Sequence, residues 1–330
     1  MVKVGINGFG RIGKLFFRAA MVHGLDIEFV GINDLTDTRT LGTLLKYDTV
    51  FRRAPFSVEW DDKHLIIDGK PIPVSAERDP EQLKWAELGA EVVVESTGRF
   101  TARKDAAKHL KAGAKKVVIS APSPDPDVTV VLGVNLGDYD KSKHDVISMG
   151  SCTTNSLGAP LKVIDEKFGI VRGYMLTVHS FTNDQSTVDF VHRDLRRARC
   201  ASQNLILTTT GAAKAIGLVL PSLKGKLDGS AARIPTPDGS CSVVSLVLNK
   251  ETTKKELNGA LRAAAEGELK GILEYTEDPI VTADIIGDPH TAIIDGSMTY
   301  VNGSFATIFS WYDNEWGFSC KLGELVTKLL

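Results

Sequence analysis

Closely spaced cysteines are missing from this sequence. The four cysteines, Cys152, Cys200, Cys241 and Cys320, lie far apart in the 330 residues and form no CxxC pair. Zinc sites and disulfide frameworks need thiols at short, regular spacings, so we expect neither, and no metal centre. A reduced, cytoplasmic setting fits this pattern best.

An excess of charge and long apolar runs are also missing. The chain has 39 Lys and Arg against 41 Asp and Glu, a net charge of -2, which argues against nucleic acid or an anionic membrane as the main partner. No apolar stretch approaches the ~20 residues that span a bilayer. A strand-like segment begins at residue 2, which leaves no room for a signal peptide. The length suggests two domains.

The first residues carry a nucleotide-binding pattern. A strand at residues 2–6 runs into a glycine-rich turn and a helix, and a second strand at 28–33 ends in Asp34. The turn reads Gly8-Phe9-Gly10-Arg11-Ile12-Gly13. Glycines there permit a tight turn and close approach of a pyrophosphate to the helix N-terminus. Asp34 would accept hydrogen bonds from the adenosine ribose and repel a 2′-phosphate, which favours NAD over NADP.

Strands and helices alternate up to about residue 150. This alternation predicts an α/β fold with a doubly wound, mostly parallel, Rossmann-type sheet, in which we expect a helix at 102–112 and a strand at 128–133. Ligands bind at the carboxyl ends of parallel strands, where Asn7, Asp34 and Ser120 stand. The sequence therefore predicts an NAD-binding domain over residues 1–150.

The second half follows a different pattern. Alternating strands with flanking helices predict an α+β catalytic domain over residues 151–316, with a largely antiparallel sheet. Residues 317–330, with a helix at 324–329, are expected to return to the first domain. A polar, basic segment at 183–210 is too long for an ordinary connection, so its arginines form either a solvated or inter-subunit face, or a binding surface.

One cysteine stands among hydroxyl residues, in Ser151-Cys152-Thr153-Thr154-Asn155. A lone cysteine is often a small buried apolar residue. Ser and Thr favour a helix start, however, and a helix N-terminus stabilises a thiolate. His179 follows in a strand-like segment and is a candidate base. Cys152 therefore fits both a core position and a nucleophile.

The nucleophile interpretation implies a definite chemistry. A thiolate adds to an aldehyde to form a hemithioacetal, and loss of hydride to a nicotinamide gives a thioester, which water or another acceptor cleaves. His179 would take the hydroxyl proton and stabilise the oxyanion. Groups that hold phosphates are also present, at Thr153, Thr182, Arg197, Thr210, Gly211 and Arg233. Two phosphate subsites would suit a phosphorylated aldehyde and inorganic phosphate.

Several motifs together resemble a known family over essentially the whole chain. Besides the glycine turn and the cysteine motif, they are Thr177-Val178-His179-Ser180, Thr210-Gly211-Ala212-Ala213-Lys214, Ala232-Arg233-Ile234-Pro235 and Ser310-Trp311-Tyr312-Asp313-Asn314-Glu315-Trp316-Gly317. The sequence resembles glyceraldehyde-3-phosphate dehydrogenase of the phosphorylating, NAD-linked kind. This implies oxidation of D-glyceraldehyde 3-phosphate to 1,3-bisphosphoglycerate in glycolysis or gluconeogenesis.

The resemblance also implies residue roles. Cys152 is the expected nucleophile and His179 its base. The expected cofactor residues are Asn7, Gly8, Gly10, Arg11, Ile12, Gly13, Asp34, Arg78, Ser120 and Asn314, the last holding the nicotinamide carboxamide. Inorganic phosphate would bind Ser151, Thr153, Thr210 and Gly211, and the substrate phosphate Thr182 and Arg233, with Arg197 near both. The basic segment matches the family's S-loop, which lies at the core of a homotetramer.

Two other functions remain open at this point. Erythrose-4-phosphate dehydrogenase is a related alternative with water as acceptor, although Ser180-Phe181-Thr182 and Thr209-Thr210-Gly211 argue against it. A nucleic-acid-binding scaffold is an alternative of another class, which the near-neutral charge disfavours. The chain departs from the usual family pattern at Phe190, Val191 and Leu207 in the S-loop, and at residues 241–245.

Overall fold

The structure is a computed structural model that describes all residues from 1 to 330. The chain forms two compact units. The first unit comprises Met1–Val130, Leu136–Ser151 and Ser319–Leu330. The second unit comprises Val131–Asn135 and Cys152–Phe318. No helix has the length and apolar character needed to cross a membrane.

The first unit contains eleven strands and five helices before residue 152. The strands are β1 (Val2–Asn7), β2 (Ile27–Asn33), β3 (Tyr47–Asp48), β4 (Arg52–Arg53), β5 (Val58–Trp60), β6 (His64–Ile67), β7 (Lys70–Ser75), β8 (Val92–Glu95), β9 (Lys116–Ile119), β10 (Val128–Thr129) and β11 (Val146–Ser148). The helices are α1 (Arg11–Val22), α2 (Thr38–Lys46), α3 (Trp85–Leu88), α4 (Arg103–Ala106) and α5 (Lys108–Lys111).

Nine of these strands form one sheet in the order β10-β11-β9-β8-β1-β2-β7-β6-β5. The pairs from β10 to β7 are parallel, and β5, β6 and β7 pair antiparallel at one edge. The central strands are almost continuously apolar, because both faces of a parallel sheet are covered. Val92, Val93 and Val94 in β8 are fully buried. The predicted Rossmann-type α/β fold is confirmed.

The second unit is built on an eight-stranded sheet in the order β13-β14-β12-β15-β19-β17-β16, with β18 beside β19. Its strands are β12 (Ile170–Ser180), β13 (Ile206–Thr209), β14 (Leu227–Ile234), β15 (Ser240–Leu248), β16 (Leu273–Thr276), β17 (Ala292–Asp295), β18 (Tyr300–Asn302) and β19 (Phe305–Tyr312). Its helices are α6 (Cys152–Phe168), α7 (Ala212–Val219) and α8 (Lys254–Glu266). Helix α9 (Trp316–Val326) follows β19.

Most strand pairs of this second sheet are antiparallel, but β12–β14 and β16–β17 are parallel, which makes the sheet mixed. Strand β12 is paired with β14 on one side and with β15 on the other along nearly its whole length. Helix α6 contributes Leu157, Leu161 and Ile164 to a buried cluster that also contains Met175 and Ile308 from the sheet. This core fixes the two elements that carry Cys152 and His179.

Three predicted elements differ in the structure. The helix expected at 102–112 is two short helices, because Leu110 N donates to the Ala107 oxygen and tightens the backbone there. The strand expected at 128–133 ends at Thr129, since Asn135 turns the chain by accepting from Val131 N at 2.9 Å. The C-terminal helix starts at Trp316 rather than 324, because Asp313 caps it by accepting from Trp316 N at 2.6 Å.

Candidate active site

The glycine turn between β1 and α1 is shaped by close backbone contacts. Gly8 has a φ of +92°, and a Cβ there would lie 2.7 Å from the nitrogen of Thr97. A Cβ at Gly13 would lie 2.2 Å from the Gly8 oxygen, whereas nothing lies within 4 Å of one at Gly10. Gly8 and Gly13 therefore close the turn on itself, and Gly10 leaves open space at the start of α1, as an approaching pyrophosphate requires.

A cavity of about 270 Å³ lies at this edge of the sheet. Five predicted cofactor residues line it, namely Asn7, Gly8, Gly10, Asp34 and Arg78. Asp34 also braces the turn, since its Oδ2 accepts from Phe9 N at 2.8 Å and its Oδ1 from Thr36 N at 3.0 Å. The open turn, the cavity and the carboxylate at the end of β2 fit a dinucleotide.

The other predicted cofactor residues lie elsewhere. Arg11 and Ile12 are in the first turn of α1, where Arg11 forms an ion pair with Asp48. Ser120 follows β9, and its N donates to the Glu95 oxygen at 3.0 Å. Asn314 belongs to the second unit and follows β19.

A buried network beneath the cavity was not predicted from the sequence. Glu95 accepts from Asn7 Nδ2 at 2.6 Å, from Thr97 N at 2.9 Å and from Thr97 Oγ1. His109 accepts from Trp85 Nε1 at 3.0 Å through Nδ1, so its Nε2 carries the proton and donates to Glu95 at 3.0 Å. The sequence signal was only a carboxylate at the end of an apolar strand.

Cys152 and His179 meet in the second unit. Cys152 is the first residue of the 17-residue helix α6, and His179 is next to last in β12. The Cys152 Sγ lies 3.5 Å from the His179 Nε2, which is hydrogen-bonding distance for sulfur. The helix N-terminus directs its unpaired amides and positive dipole end toward the sulfur.

Burial favours the uncharged form of both groups. It raises the pKa of Cys152 to about 11, and together with Arg233 it lowers the pKa of His179 to about 3. Proton transfer from Sγ to Nε2 within the pair creates no net charge, so burial opposes it less than titration against solvent. The nearby Arg233 guanidinium lowers the pKa of Cys152 and so favours the thiolate.

Arg233 contacts the second ring nitrogen of His179, on the side of the imidazole away from Cys152. The register pairs it with His179 across β12 and β14, and its Nη1 lies 2.8 Å from His179 Nδ1. The same Nδ1 lies 2.8 Å from the Ser180 carbonyl oxygen. The Nδ1–H tautomer donates to that oxygen and leaves Nε2 as a base, whereas the Nε2–H tautomer accepts from Arg233. The site therefore has a partner for each tautomer.

Tyr312 joins the parts of this cluster, a role that sequence reasoning missed. Its hydroxyl is 2.9 Å from Thr153 Oγ1 and 2.7 Å from Thr177 Oγ1, and burial raises its pKa. Its ring meets the His179 ring edge to face, with centroids 5.9 Å apart. The tyrosine belongs to the tryptophan motif of the sequence, but nothing in its spacing showed that β19 would bring it to the cysteine.

Several residues that are predicted to bind phosphate belong to the same unit. Arg197 donates to Thr208 Oγ1 at 2.9 Å and pairs with Asp184, which fixes its guanidinium against β13. Thr210 and Gly211 stand at the start of α7, where Thr210 Oγ1 accepts from Ala212 N at 3.2 Å.

Thr182 follows β12, and Ser151 directly precedes Cys152. The Nε of Arg233 is buried without a partner, which leaves a donor for an anion.

Comparison with known proteins agrees with this geometry. Residues 2–103 match the family model described as glyceraldehyde 3-phosphate dehydrogenase, NAD binding domain, and residues 151–314 match the C-terminal domain of the same enzyme. The chain belongs to the glyceraldehyde-3-phosphate dehydrogenase family. The glyceraldehyde-3-phosphate dehydrogenase of Geobacillus stearothermophilus is 58% identical over 331 residues, covering 99% of this chain and 98% of the relative.

Two further relatives carry the same name. Glyceraldehyde-3-phosphate dehydrogenase 1 of Bacillus subtilis is 55% identical over 329 residues, which cover 99% of this chain and 98% of the relative. The Streptomyces coelicolor enzyme is 55% identical over 326 residues, or 98% and 97% of the two chains. The predicted activity is confirmed: the chain is an NAD-dependent glyceraldehyde-3-phosphate dehydrogenase of glycolysis, and the two alternative functions are not favoured.

Proposed function

We propose that Cys152 and His179 are the catalytic pair of this reaction. The observation that carries the proposal is the 3.5 Å contact between Sγ and Nε2 at the N-terminus of α6. His179 removes the thiol proton, the sulfur bonds to the aldehyde carbon, and the imidazolium returns that proton to the oxyanion, which gives the hemithioacetal and a neutral His179. The hydroxyl proton of that adduct then passes to His179 as the carbon is oxidised to a thioester. Bound NAD+ supplies the hydride acceptor.

The thioester is resolved by inorganic phosphate. A phosphate oxygen attacks the acyl carbon, the carbon–sulfur bond breaks, and the Cys152 thiolate leaves with an acyl phosphate as product. We assign the inorganic phosphate to Ser151, Thr153, Thr210 and Gly211. We assign the substrate phosphate to Thr182 and Arg233, with Arg197 near both. The buried, unpartnered Nε of Arg233 supports its role as an anion donor.

The cofactor assignment rests on the first unit. Gly8, Gly10 and Gly13 would allow the pyrophosphate to approach α1, Asp34 would bind the adenosine ribose, and Asn314 would hold the nicotinamide carboxamide. Asn7, Arg11, Ile12, Arg78 and Ser120 complete the proposed set. We further propose that residues 1–150, with 317–330, act as the NAD-binding domain and residues 151–316 as the catalytic domain.

The experiment measures NADH formation from NAD+ with D-glyceraldehyde 3-phosphate, with and without inorganic phosphate. We expect turnover to depend on phosphate, because inorganic phosphate is the proposed acceptor of the acyl group. Erythrose 4-phosphate serves as the matched control aldehyde. Activity indifferent to phosphate, or preference for the four-carbon aldehyde, would contradict the proposal.

We also propose that the enzyme is a cytoplasmic homotetramer assembled through residues 183–210. Six large apolar side chains of that segment are exposed, among them Phe190 by 68%, Val191 by 88% and Leu195 by 81%. Such a cluster is typical of an interface rather than a solvated loop. Sedimentation equilibrium of the wild type and of Leu195→Asp tests this assembly: the wild type should sediment as a tetramer and the variant as smaller species. The four free thiols support a reducing compartment.

A further inference from the structure

Two buried aspartates lie side by side at one end of the second sheet. Asp238 and Asp313 are 2% and 1% exposed. Ser240 pairs with Tyr312 at the end of the antiparallel β15–β19 ladder, so the two aspartates lie just beyond that end, and each carboxyl affects the pKa of the other. No Lys, Arg or His is among the main influences on the pKa of either carboxyl, although a buried carboxylate normally needs a positive partner.

The partners of the two carboxyl groups indicate which of them can carry a proton. Asp313 accepts from the backbone amides of Gly287 at 2.8 Å, Glu315 at 2.9 Å and Trp316 at 2.6 Å, so its oxygens act as acceptors. The Oδ1 of Asp238 accepts from Gly239 N at 2.8 Å, but its buried Oδ2 receives no donor. Two neighbouring carboxyl groups can share a hydrogen bond only if one is protonated, and Oδ2 of Asp238, which has no other partner, is the oxygen free to carry that proton.

The electrostatic surroundings agree with that assignment. Burial, and then the charges of Asp313 and Glu315, raise the pKa of Asp238 to about 9. Burial raises the pKa of Asp313 to about 6, against the opposing effect of its backbone donors. Cys152 on α6 is also in electrostatic contact with Asp238.

The residue next to this pair is Asn314. Its Oδ1 accepts from Ser240 Oγ at 2.7 Å and from Ser180 Oγ at 3.0 Å, whereas no hydrogen bond within the chain uses its Nδ2. The amide is therefore held with its nitrogen available to donate. Its orientation depends on the turn at 313–316 that carries it, on Ser240 at the start of β15 and on Ser180 at the end of β12.

We propose that Asp238 is a positioning residue for Asn314. The protonated carboxyl of Asp238 donates a hydrogen bond to Asp313 and so connects the 313–316 turn to the start of β15. The proposal rests on the proposed function of Asn314 as the residue that holds the nicotinamide carboxamide. Gly239 fixes the backbone between Asp238 and β15. Its φ of +85° and a Cβ position 2.9 Å from the Thr282 oxygen leave no room for a larger residue. Asp238 thus acts through Asn314 and does not touch the reacting atoms.

The experiment compares the Asp238→Asn and Asp238→Ala enzymes at neutral pH. Asparagine keeps a donor toward Asp313, whereas alanine removes it and leaves a buried acceptor unpaired. We expect Asp238→Ala to raise the KM for NAD about tenfold, with the KM for glyceraldehyde 3-phosphate unchanged, and Asp238→Asn to restore the KM for NAD to within about twofold of the wild type. If asparagine behaves like alanine, the proposal is wrong.

A pH series provides a readout that a merely structural role would not move. As the pH rises through about 9, wild-type Asp238 loses its proton and repels Asp313, so the affinity for NAD falls. Asp238→Asn has no such proton, and its affinity should stay level over the same range. If the wild type and Asp238→Asn lose the same affinity for NAD at alkaline pH, the proposal is wrong. This test does not require Asp238→Ala to fold.

Two controls separate this inference from the assignment of Asn314. Asn314→Ala tests the cofactor role directly, since an unchanged KM for NAD would refute that role alone. Hydrogen exchange at the amides of Glu315 and Trp316 tests the tie itself. These amides should exchange faster in Asp238→Ala than in the wild type and Asp238→Asn, and equal exchange in all three enzymes would contradict the tie.

Discussion

Buried polar groups are treated differently in the two units. Beneath the cofactor cavity, Glu95 has donors for both of its oxygens, and His109 uses both of its ring nitrogens. In the second unit, the buried Nε of Arg233 and Oγ1 of Thr236 have no partner. A fully paired network makes a rigid scaffold, whereas unpaired buried donors are available to bind a ligand. Substitutions in the two regions should therefore fail in different measurements.

The sharpest contrast is expected from Cys152→Ser. Loss of the thiol removes the covalent step, so kcat should fall by about 10⁴-fold or more. The oxygen is smaller and makes no scaffold contact that the sulfur lacks, so the melting temperature and NAD affinity should stay near those of the wild type. NADH formation, calorimetry and NAD titration measure the three quantities. Substantial residual turnover would refute the nucleophile role.

His179→Asn should also reduce activity rather than stability. The variant lacks the base, so kcat/KM should fall by about 10²–10⁴-fold. Alkylation of Cys152 by iodoacetamide at neutral pH should slow, because the thiolate must then form against the burial that raises its pKa. His64→Asn, at a half-buried position of β6 in the first unit, is the matched control and should alkylate at the wild-type rate.

Glu95→Gln tests the opposite side of the comparison. The new amide group would face donors instead of accepting from them, at a cost of about 1–3 kcal/mol in the free energy of unfolding. The melting temperature should fall by about 2–4 °C per kcal/mol, and NAD affinity should weaken, while Cys152 alkylation stays unchanged. Glu87→Gln breaks only an exposed ion pair with Lys84 and should change nothing measurable. A wild-type melting temperature in Glu95→Gln would mean that the paired network of the first unit does not stabilise the fold, contrary to the comparison of the two units.

The smallest effect is expected from Tyr312→Phe. It removes a hydroxyl that bridges Thr153 and Thr177 but keeps the ring against His179. The loss of about 1 kcal/mol should lower kcat about fivefold. Tyr300→Phe, at an exposed tyrosine of the same sheet, is the control and should match the wild type. A wild-type kcat in Tyr312→Phe would mean that the bridge has no part in aligning the pair.

Most of the fold of the first unit could be predicted, because the sequence motifs that specify it are local. The glycine turn, α1, β2 and Asp34 lie within one short stretch, and each fixes the backbone geometry of the next. Element ends were less predictable. Thr129 ends its strand because of Asn135, and α9 begins early because of the Asp313 cap, and neither effect shows in hydrophobic periodicity.

The catalytic cluster could not be built from spacing alone. Cys152, His179, Arg233 and Tyr312 come from four elements that only the sheet order brings together. The family motifs contain all four residues but gave roles only to the first three. The contact between His179 and Tyr312, the tautomer partners and the aspartate pair depend on strand register. Long-range register of this kind leaves no mark in a single sequence.

The double pairing of β12 also bears on how this enzyme loses activity on heating. A strand bonded on both sides as far as Val178 cannot fray alone, so the amides of β12 that lead to His179 should be among the slowest in the chain to exchange with solvent. The base then leaves its place only when the sheet itself melts. Thermal inactivation should therefore coincide with the cooperative unfolding of the catalytic unit, with no inactive but folded state before it.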